Sequence, residues 1–217
     1  MLPALTDLVA LLGIALVLCT GFLQLLESRR GVTGVSTPRE KWATAVCFVV
    51  LWFPLGVAKL PLLAYVRGIS SDLSITLVML ACLGLGQRLL GLRAVDQRER
   101  LAVNAAVVVA ACFLYPLALG WGDWDPYRAG WGAPGMWVGL LILSAFCWVQ
   151  GLRLLPVLVA LALLAWRFGI LESGNLWDYL MDPWLALAAF FQCLKWGGGH
   201  LLAWFRRAGL DAAHPLP

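Results

Sequence analysis

The side chains best suited to chemistry in this 217-residue chain lie in three polar breaks between long apolar stretches, at 65–72, 121–132 and 172–182. Their arginines could hold a phosphate or carboxylate through paired hydrogen bonds, and their aspartates could bind a divalent cation or accept a proton. Their aromatic rings could stack on a sugar or pack on a lipid tail. The candidate ligand- or partner-binding residues are Arg67, Asp72, Asp123, Trp124, Asp125, Tyr127, Arg128, Glu172, Asn175 and Asp178.

The same polar residues also fit a purely structural interpretation. Arg67 could pair with Asp178 across two of the breaks. Asp72 and Asp182 could cap the helices that follow them, and the tryptophans could anchor in lipid headgroups. The two aspartates beside the proline of the second break are also ordinary turn residues. Both interpretations are compatible with the sequence.

The sequence contains none of the common signatures of cofactor binding or nucleophilic catalysis. It has no dinucleotide glycine fingerprint, no phosphate-binding loop, no His-Glu-x-x-His zinc motif and no Gly-x-Ser-x-Gly nucleophile motif. The six cysteines stand singly in separate apolar stretches, and the two histidines, His200 and His214, do not form a haem-ligand pair. We therefore predict no cofactor and no metal site, and these absences favour a protein that is not an enzyme.

The composition predicts an integral membrane protein. Hydrophobic residues make up 62% of the chain and charged residues 13%, with a mean hydropathy of +0.85, whereas a soluble domain carries about a quarter charged residues. A hydrocarbon core needs roughly 20 apolar residues per helix. We predict an all-α fold with one integral membrane domain over residues 1–217, a transmembrane helical bundle of about seven spans. The predicted spans are 4–26, 42–64, 73–91, 101–120, 135–151, 154–171 and 184–205.

The orientation follows from the basic residues, which fall almost entirely at alternate breaks. They are Arg29, Arg30, Arg39, Lys41, Arg88, Arg93, Arg98, Arg100, Arg153, Arg206 and Arg207. Basic residues near span ends are retained in the cytoplasm, so we expect these breaks to be cytoplasmic and the net acidic breaks to face outward. The N-terminus would then lie outside and the C-terminus inside. The first stretch is expected to remain a helix instead of a cleaved signal peptide.

The intramembrane polar candidates within the predicted spans are Lys59, Arg167, Lys195 and His200. A charge at the centre of a membrane helix costs at least ~2.5 kcal/mol, so each is a candidate functional group. Lys59 and Arg167 lie near span ends, where a long side chain can reach water. Lys195 lies near the middle of its span and precedes three glycines at 197–199. We therefore predict a broken or tilted seventh helix.

Local motifs predict where several helices begin, bend and approach one another. Residues 37–40 read Thr-Pro-Arg-Glu, a capping box, and 182–183 repeat the order of cap and then proline. Two prolines and a glycine within 54–61 predict a kink in the second span. Residues 150–153 predict a tight turn between two helices. The glycines of 135–139 form a small-residue face that permits close packing with another helix.

These observations predict a non-catalytic, multi-pass subunit or accessory protein of the bacterial inner membrane that serves an envelope process. Its outward loops would dock a protein partner, a lipid or a glycan, and membrane lipids and a protein partner or a second copy are the expected partners. Nucleic acid is not an expected partner, because the basic residues are dispersed among several breaks. One alternative is a membrane enzyme acting on a lipid-linked phosphate. The other is a small-solute transporter that uses Lys59, Lys195 and the kinked second span.

Overall fold

The structure is a computed structural model that describes residues 5–31, 34–56 and 59–213, with side chains as far as Gly199. As the sequence predicts, its regular structure is almost entirely helical. The elements are α1 (Leu5–Arg30), α2 (Pro38–Leu51), β1 (Pro54–Leu55), β2 (Leu60–Pro61), α3 (Leu62–Ser70), α4 (Ile75–Leu89), α5 (Gln97–Ala118), a 3₁₀ helix (Pro126–Trp131), α6 (Pro134–Val149), α7 (Leu154–Arg167), α8 (Leu176–Leu180) and α9 (Pro183–Ala213).

Ion pairs between distant segments define two ends of the helical bundle. Arg67 in the last turn of α3 contacts Asp7 at the start of α1 at 2.5 Å and Glu172 after α7 at 2.6 Å. Glu27 near the end of α1 contacts Arg88 near the end of α4 at 2.8 Å. The helices therefore run between two ends, and the three polar breaks meet at one of them. We name this the acidic end (Asp7, 65–74, 119–133 and 168–183) and the other the basic end (27–31, 34–41, 86–100 and 149–154).

Two helices among the described residues are long and apolar enough to cross a membrane, α1 with 26 residues and α5 with 22. Three further apolar helices, α4, α6 and α7, are shorter, at 14 to 16 residues. By length and composition, two of the seven expected spans are therefore supported.

The second apolar stretch is not one continuous helix, so the expectation of a single helix over 42–64 is wrong. Helix α2 ends at Leu51, the short antiparallel pair β1 and β2 follows with Pro54 opposite Pro61, and α3 then begins. The prolines lack the N–H that a helix would use. Gly56 has a φ of +69°, which glycine adopts without strain. The predicted kink is therefore a full break.

The seventh apolar stretch is one continuous helix, so of the two expectations, a broken or a tilted helix, the break near Lys195 is wrong. Helix α9 runs without interruption from Pro183 to Ala213 and includes the three glycines at 197–199. Each glycine costs a helix up to ~1 kcal/mol. In a long apolar helix this cost is smaller than that of leaving backbone groups without hydrogen bonds. The tight turn predicted at 150–153 is present between α6 and α7, and Gly151 has a φ of +74°.

Three packed clusters hold the helices together, and the outer surface is itself apolar. The first cluster joins α1 to α2, α3 and α4 around Ile14, Leu23 and Leu63. The second joins α5, α7 and α9, and α6 contributes Cys147 to it. The third joins α6, α7 and α8 and includes Tyr179. Large apolar side chains also cover the exterior of α2 and α6, including Trp42, Val46, Val49, Leu141, Ile142 and Phe146. Contiguous apolar surface of this extent is rare on proteins that face water.

Two predicted helix caps are confirmed. Thr37 and Glu40 form the reciprocal capping box at the start of α2. At the start of α9, one carboxylate oxygen of Asp182 accepts from the backbone N–H of Leu185 at 2.8 Å. The other accepts from the backbone N–H of Ser74 at 2.8 Å. Asp182 is 6% exposed, so it satisfies two buried donors and ties α9 to α4.

We predict that Asp182→Ala lowers the free energy of unfolding by about 1–3 kcal/mol, because two buried N–H groups lose their acceptor. Denaturant titration of the detergent-solubilised protein measures the change. Asp96→Ala is the matched control, because Asp96 precedes α5 in the same cap position but is exposed and makes no capping hydrogen bond. Equal destabilisation by both variants would contradict the role assigned to Asp182.

Candidate functional site

Arg67 is the centre of an ion cluster at the acidic end. Its three side-chain nitrogens each contact a different carboxylate, namely Nη1 with Asp7 at 2.5 Å, Nη2 with Glu172 at 2.6 Å and Nε with Asp72 at 3.1 Å. The hydrogen bond to Asp7, then the charge and hydrogen bond of Asp72 and the hydrogen bond to Glu172, raise the pKa of Arg67 above its ordinary value. The cluster therefore joins α1, α3 and the segment after α7. The expected pairing of Arg67 with Asp178 is wrong.

Asp72 belongs to the same cluster and does not cap α4, as the sequence had suggested. Its Oδ1 accepts from Arg67, and its Oδ2 accepts from the backbone N–H of Glu172 at 3.2 Å. The cap of α4 is Ser74, whose hydroxyl accepts from the backbone N–H of Leu77 at 3.2 Å. The residue directly before a helix is the one that reaches its free N–H groups. Asp72 lies two residues too early.

A second polar network fixes α8 against the 3₁₀ helix. Asn175 is fully buried, and its amide donates to the carbonyl of Tyr127 at 2.9 Å while its oxygen accepts from the backbone N–H of Trp177 at 2.9 Å. The indole N–H of Trp177 donates to the carbonyl of Pro126 at 3.0 Å. The Tyr127 hydroxyl donates to Asp178 at 2.8 Å. These contacts give Asn175, Tyr127 and Asp178 structural roles.

A cavity of about 510 Å³, which we name the acidic cavity, lies among these networks. The carboxylates of Asp72, Glu172, Asp178 and Asp182 line it, together with Tyr127. Burial, and then the hydrogen bond to Asp178, raise the pKa of Tyr127 to about 12, so its phenol is a neutral donor at physiological pH. Among the described residues, no group of three or more His, Cys, Asp or Glu side chains is arranged to hold a metal ion.

A larger cavity of about 840 Å³, which we name the α5–α6 groove, lies beside the second polar break. Apolar side chains and two glycines line one part of it, namely Phe113, Gly135, Met136, Gly139, Leu140 and Leu143. A Cβ atom added at Gly135 or Gly139 would meet no atom of another helix or side chain within 4 Å. The small-residue face therefore opens onto the groove instead of packing against another described helix.

The polar part of the groove contains four of the sequence candidates: Asp123, Trp124, Asp125 and Arg128. Asp125 caps the 3₁₀ helix by accepting from the N–H of Tyr127 at 2.9 Å. Arg128 is 86% exposed, and its only ion pair in the described structure is a loose one with Asp125 at 3.8 Å. Asp123 is exposed. Unlike the charges of the cluster around Arg67, those of Asp123 and Arg128 make no contact that joins two helices in the described structure.

The structure does not bring the intramembrane candidates together. Lys59 is exposed in the turn between β1 and β2, where its φ is +50°. Arg167 is exposed in the last turn of α7, and Lys195 is exposed on α9. None of these three residues lines the acidic cavity or the groove. His200 lies in α9 beyond the described side chains.

A polar cavity of about 180 Å³ near the basic end was not predicted from the sequence. Its polar lining includes Gln24, Gln87, Arg88, Arg100, Asn104 and Gln192. From sequence, the arginines of 88–100 are expected to retain their loop in the cytoplasm and to anchor it to anionic headgroups, which does not indicate a cavity. The signal that could have indicated the cavity is the single amides, Asn104 and Gln192, within otherwise apolar helices, because such a group needs a polar partner.

Comparison with protein families, with curated proteins and with solved structures found no match to this chain.

We predict that the phenol of Tyr127 loses its proton near pH 12 in the folded protein, above the ordinary tyrosine value of about 10. Because the folded-state pKa is raised, the associated stability is complete below a pH of about 10 and is lost as the pH rises through about 12. The difference in ultraviolet phenolate absorbance between the wild type and Tyr127→Phe isolates this titration. Asp178→Asn should lower the midpoint without returning it fully to 10, because burial is the larger cause. A midpoint of about 10 in the wild type would contradict the prediction.

Proposed function

We propose that this chain is a non-catalytic, multi-pass protein of the bacterial inner membrane that holds an envelope lipid in the α5–α6 groove. The proposal includes seven membrane crossings, with the acidic end outside and the basic end in the cytoplasm. The observation that carries it is the groove, which joins an apolar floor to an exposed group of charges. This combination suits an amphiphile, which has a tail to bury and a headgroup to hydrogen bond.

The membrane setting is supported by the surface and by the distribution of charge. Helices α1 and α5 have the length and composition of membrane spans. The exterior of α2 and α6 exposes large apolar side chains that hydrocarbon would cover, Trp42 and Phe146 among them. The basic residues lie mainly at one end of the bundle. Because loops rich in Lys and Arg remain in the cytoplasm, this end would face the cytoplasm.

The dimensions of the groove favour a lipid as its occupant. A volume of about 840 Å³ is within the range of pockets that enclose small molecules. The floor around Gly139 and Leu143 lies on α6, whose neighbouring surface is apolar and would face lipid. Arg128 can donate to a headgroup phosphate, and Asp123 and Asp125 can accept from a headgroup amine or hydroxyl.

The geometry favours binding over catalysis. In a lipid-phosphate enzyme, Arg67 and Arg128 would hold the phosphate beside Asp123 or Asp125. However, Arg67 does not line the groove, and each of its side-chain nitrogens already contacts a carboxylate. The transporter alternative is also less well supported, because Lys59 and Lys195 are exposed and line neither cavity of the acidic end.

We predict that Gly139→Leu greatly reduces retention of lipid, because the new side chain occupies the floor of the groove. Native mass spectrometry of protein released from lipid nanodiscs measures the retained lipid. Gly21→Leu is the matched control, because Gly21 is also exposed within a helix and a Cβ atom added there meets nothing within 4 Å, but it lies outside the groove.

Retention of lipid by the wild type and by Gly21→Leu, together with its loss in Gly139→Leu, would support the proposal. A bound polypeptide in place of lipid would overturn it in favour of a protein partner. Equal lipid retention by all three proteins would also overturn it. If Asp123→Ala retained lipid but failed to replace the wild-type protein in cells, the result would favour the enzyme alternative.

A further inference from the structure

We infer that the polar cavity near the basic end binds the phosphate-bearing headgroup of an anionic membrane lipid. The cavity lies between α1, α4, α5 and α9 and has a volume of about 180 Å³. Two arginines, Arg88 and Arg100, and four side-chain amides line it, and its lining contains no carboxylate. This site is at the opposite end of the molecule from the α5–α6 groove. The inference therefore rests on the proposed membrane setting and orientation but not on the proposed lipid in the groove.

Arg88 is held in place by contacts that leave part of its guanidinium available. Its Nε donates to Glu27 at 2.8 Å, and its Nη1 donates to the carbonyl of Gly84 at 3.1 Å. Glu27 is 4% exposed and does not line the cavity. A guanidinium has five N–H donors. The remaining donors of Arg88 make no hydrogen bond within the described part of the chain, and the two fixed contacts preorganise the group for a ligand.

Arg100 supplies positive charge that the cavity does not neutralise. Its Nη2 donates to the side-chain oxygen of Gln87 at 2.8 Å, which orients the guanidinium. In the described structure Arg100 forms no ion pair with a carboxylate. Because Glu27 neutralises Arg88, the cavity carries a net charge of about +1. An anion is therefore the complementary ligand.

Asn104 extends this polar environment into the apolar part of the bundle. It lies seven residues after the start of α5, about 10 Å along the helix axis. Its half-buried amide makes no hydrogen bond to any other described residue. The exposed side chain of Gln192 on α9 lines the same cavity. A half-buried amide such as that of Asn104 needs a partner, and the oxygens of a headgroup that enters from the basic end would provide one.

The chemistry of the lining favours a phosphate from a lipid. Guanidinium groups match phosphate oxygens with parallel, charge-assisted hydrogen bonds. Basic pockets between helices at the cytoplasmic side of a membrane bind anionic headgroups in this way. The cavity holds a group the size of a headgroup, and the acyl chains would remain in the bilayer beside Leu83 and Leu154, which also line it.

The test uses the full-length protein in detergent and measures binding of phosphatidylglycerol, with phosphatidylcholine and inorganic phosphate as separate comparison probes. Native mass spectrometry gives the number of bound lipids and their apparent affinity. We expect the wild type to bind phosphatidylglycerol in preference to phosphatidylcholine. Arg100→Gln should weaken this binding about tenfold, which is the effect of losing one charge-assisted hydrogen bond.

Arg98→Gln is the matched control, because Arg98 is exposed in the first turn of α5, carries the same charge and does not line the cavity. Asn104→Leu tests the site without a change of charge and should also weaken binding. If Arg98→Gln and Arg100→Gln weakened phosphatidylglycerol binding equally, the binding would be a general attraction of anionic lipid to a basic surface, and the inference would be overturned. Absence of preferential lipid binding, or binding of inorganic phosphate alone, would overturn it as well. Loss of lipid in Gly139→Leu would leave this result unchanged, so the two proposals fail separately.

Discussion

In the proposed membrane setting, the high cost of placing a charge in hydrocarbon is the constraint that accounts for most of this architecture. Apart from Lys195 on α9, the apolar helices carry their charged residues near their ends, where water or an opposite charge can stabilise them. The ion pairs follow this division, with Arg67 and its three carboxylates at the acidic end and Glu27 with Arg88 at the basic end. Helix ends that are distant in sequence are therefore tied together by the few charges available.

The charges of the acidic end divide into those that hold the structure and those that are free to bind. Arg67, Asp72 and Asp182 satisfy backbone groups or one another, and their burial makes them poor ligand groups. Asp123 and Arg128 are exposed beside an apolar groove and make few contacts. A binding site needs polar groups with free hydrogen-bonding capacity, because a group whose hydrogen bonds are already satisfied gains little from a ligand.

The helical class, the meeting of the three polar breaks and the caps at Thr37 and Asp182 could be predicted, because they depend on local composition and on motifs a few residues long. The break at 52–61 was predicted only as a kink, since proline spacing does not reveal the β-pair that replaces the helix. The partners of Arg67 could not be predicted, because three breaks offer several carboxylates and only packing selects among them. The groove depends on the absence of a neighbour beside Gly139, which no sequence pattern encodes.

Labelling of single introduced cysteines with a membrane-impermeant maleimide in intact cells tests the central claim, which is that the acidic and basic ends lie on opposite sides of a membrane. Asp123→Cys reports on the acidic end and Ala94→Cys on the basic end, and both positions are exposed in the structure. The account predicts labelling at 123 in intact cells and labelling at 94 only after the membrane is made permeable. Equal labelling of both positions in intact cells would contradict it.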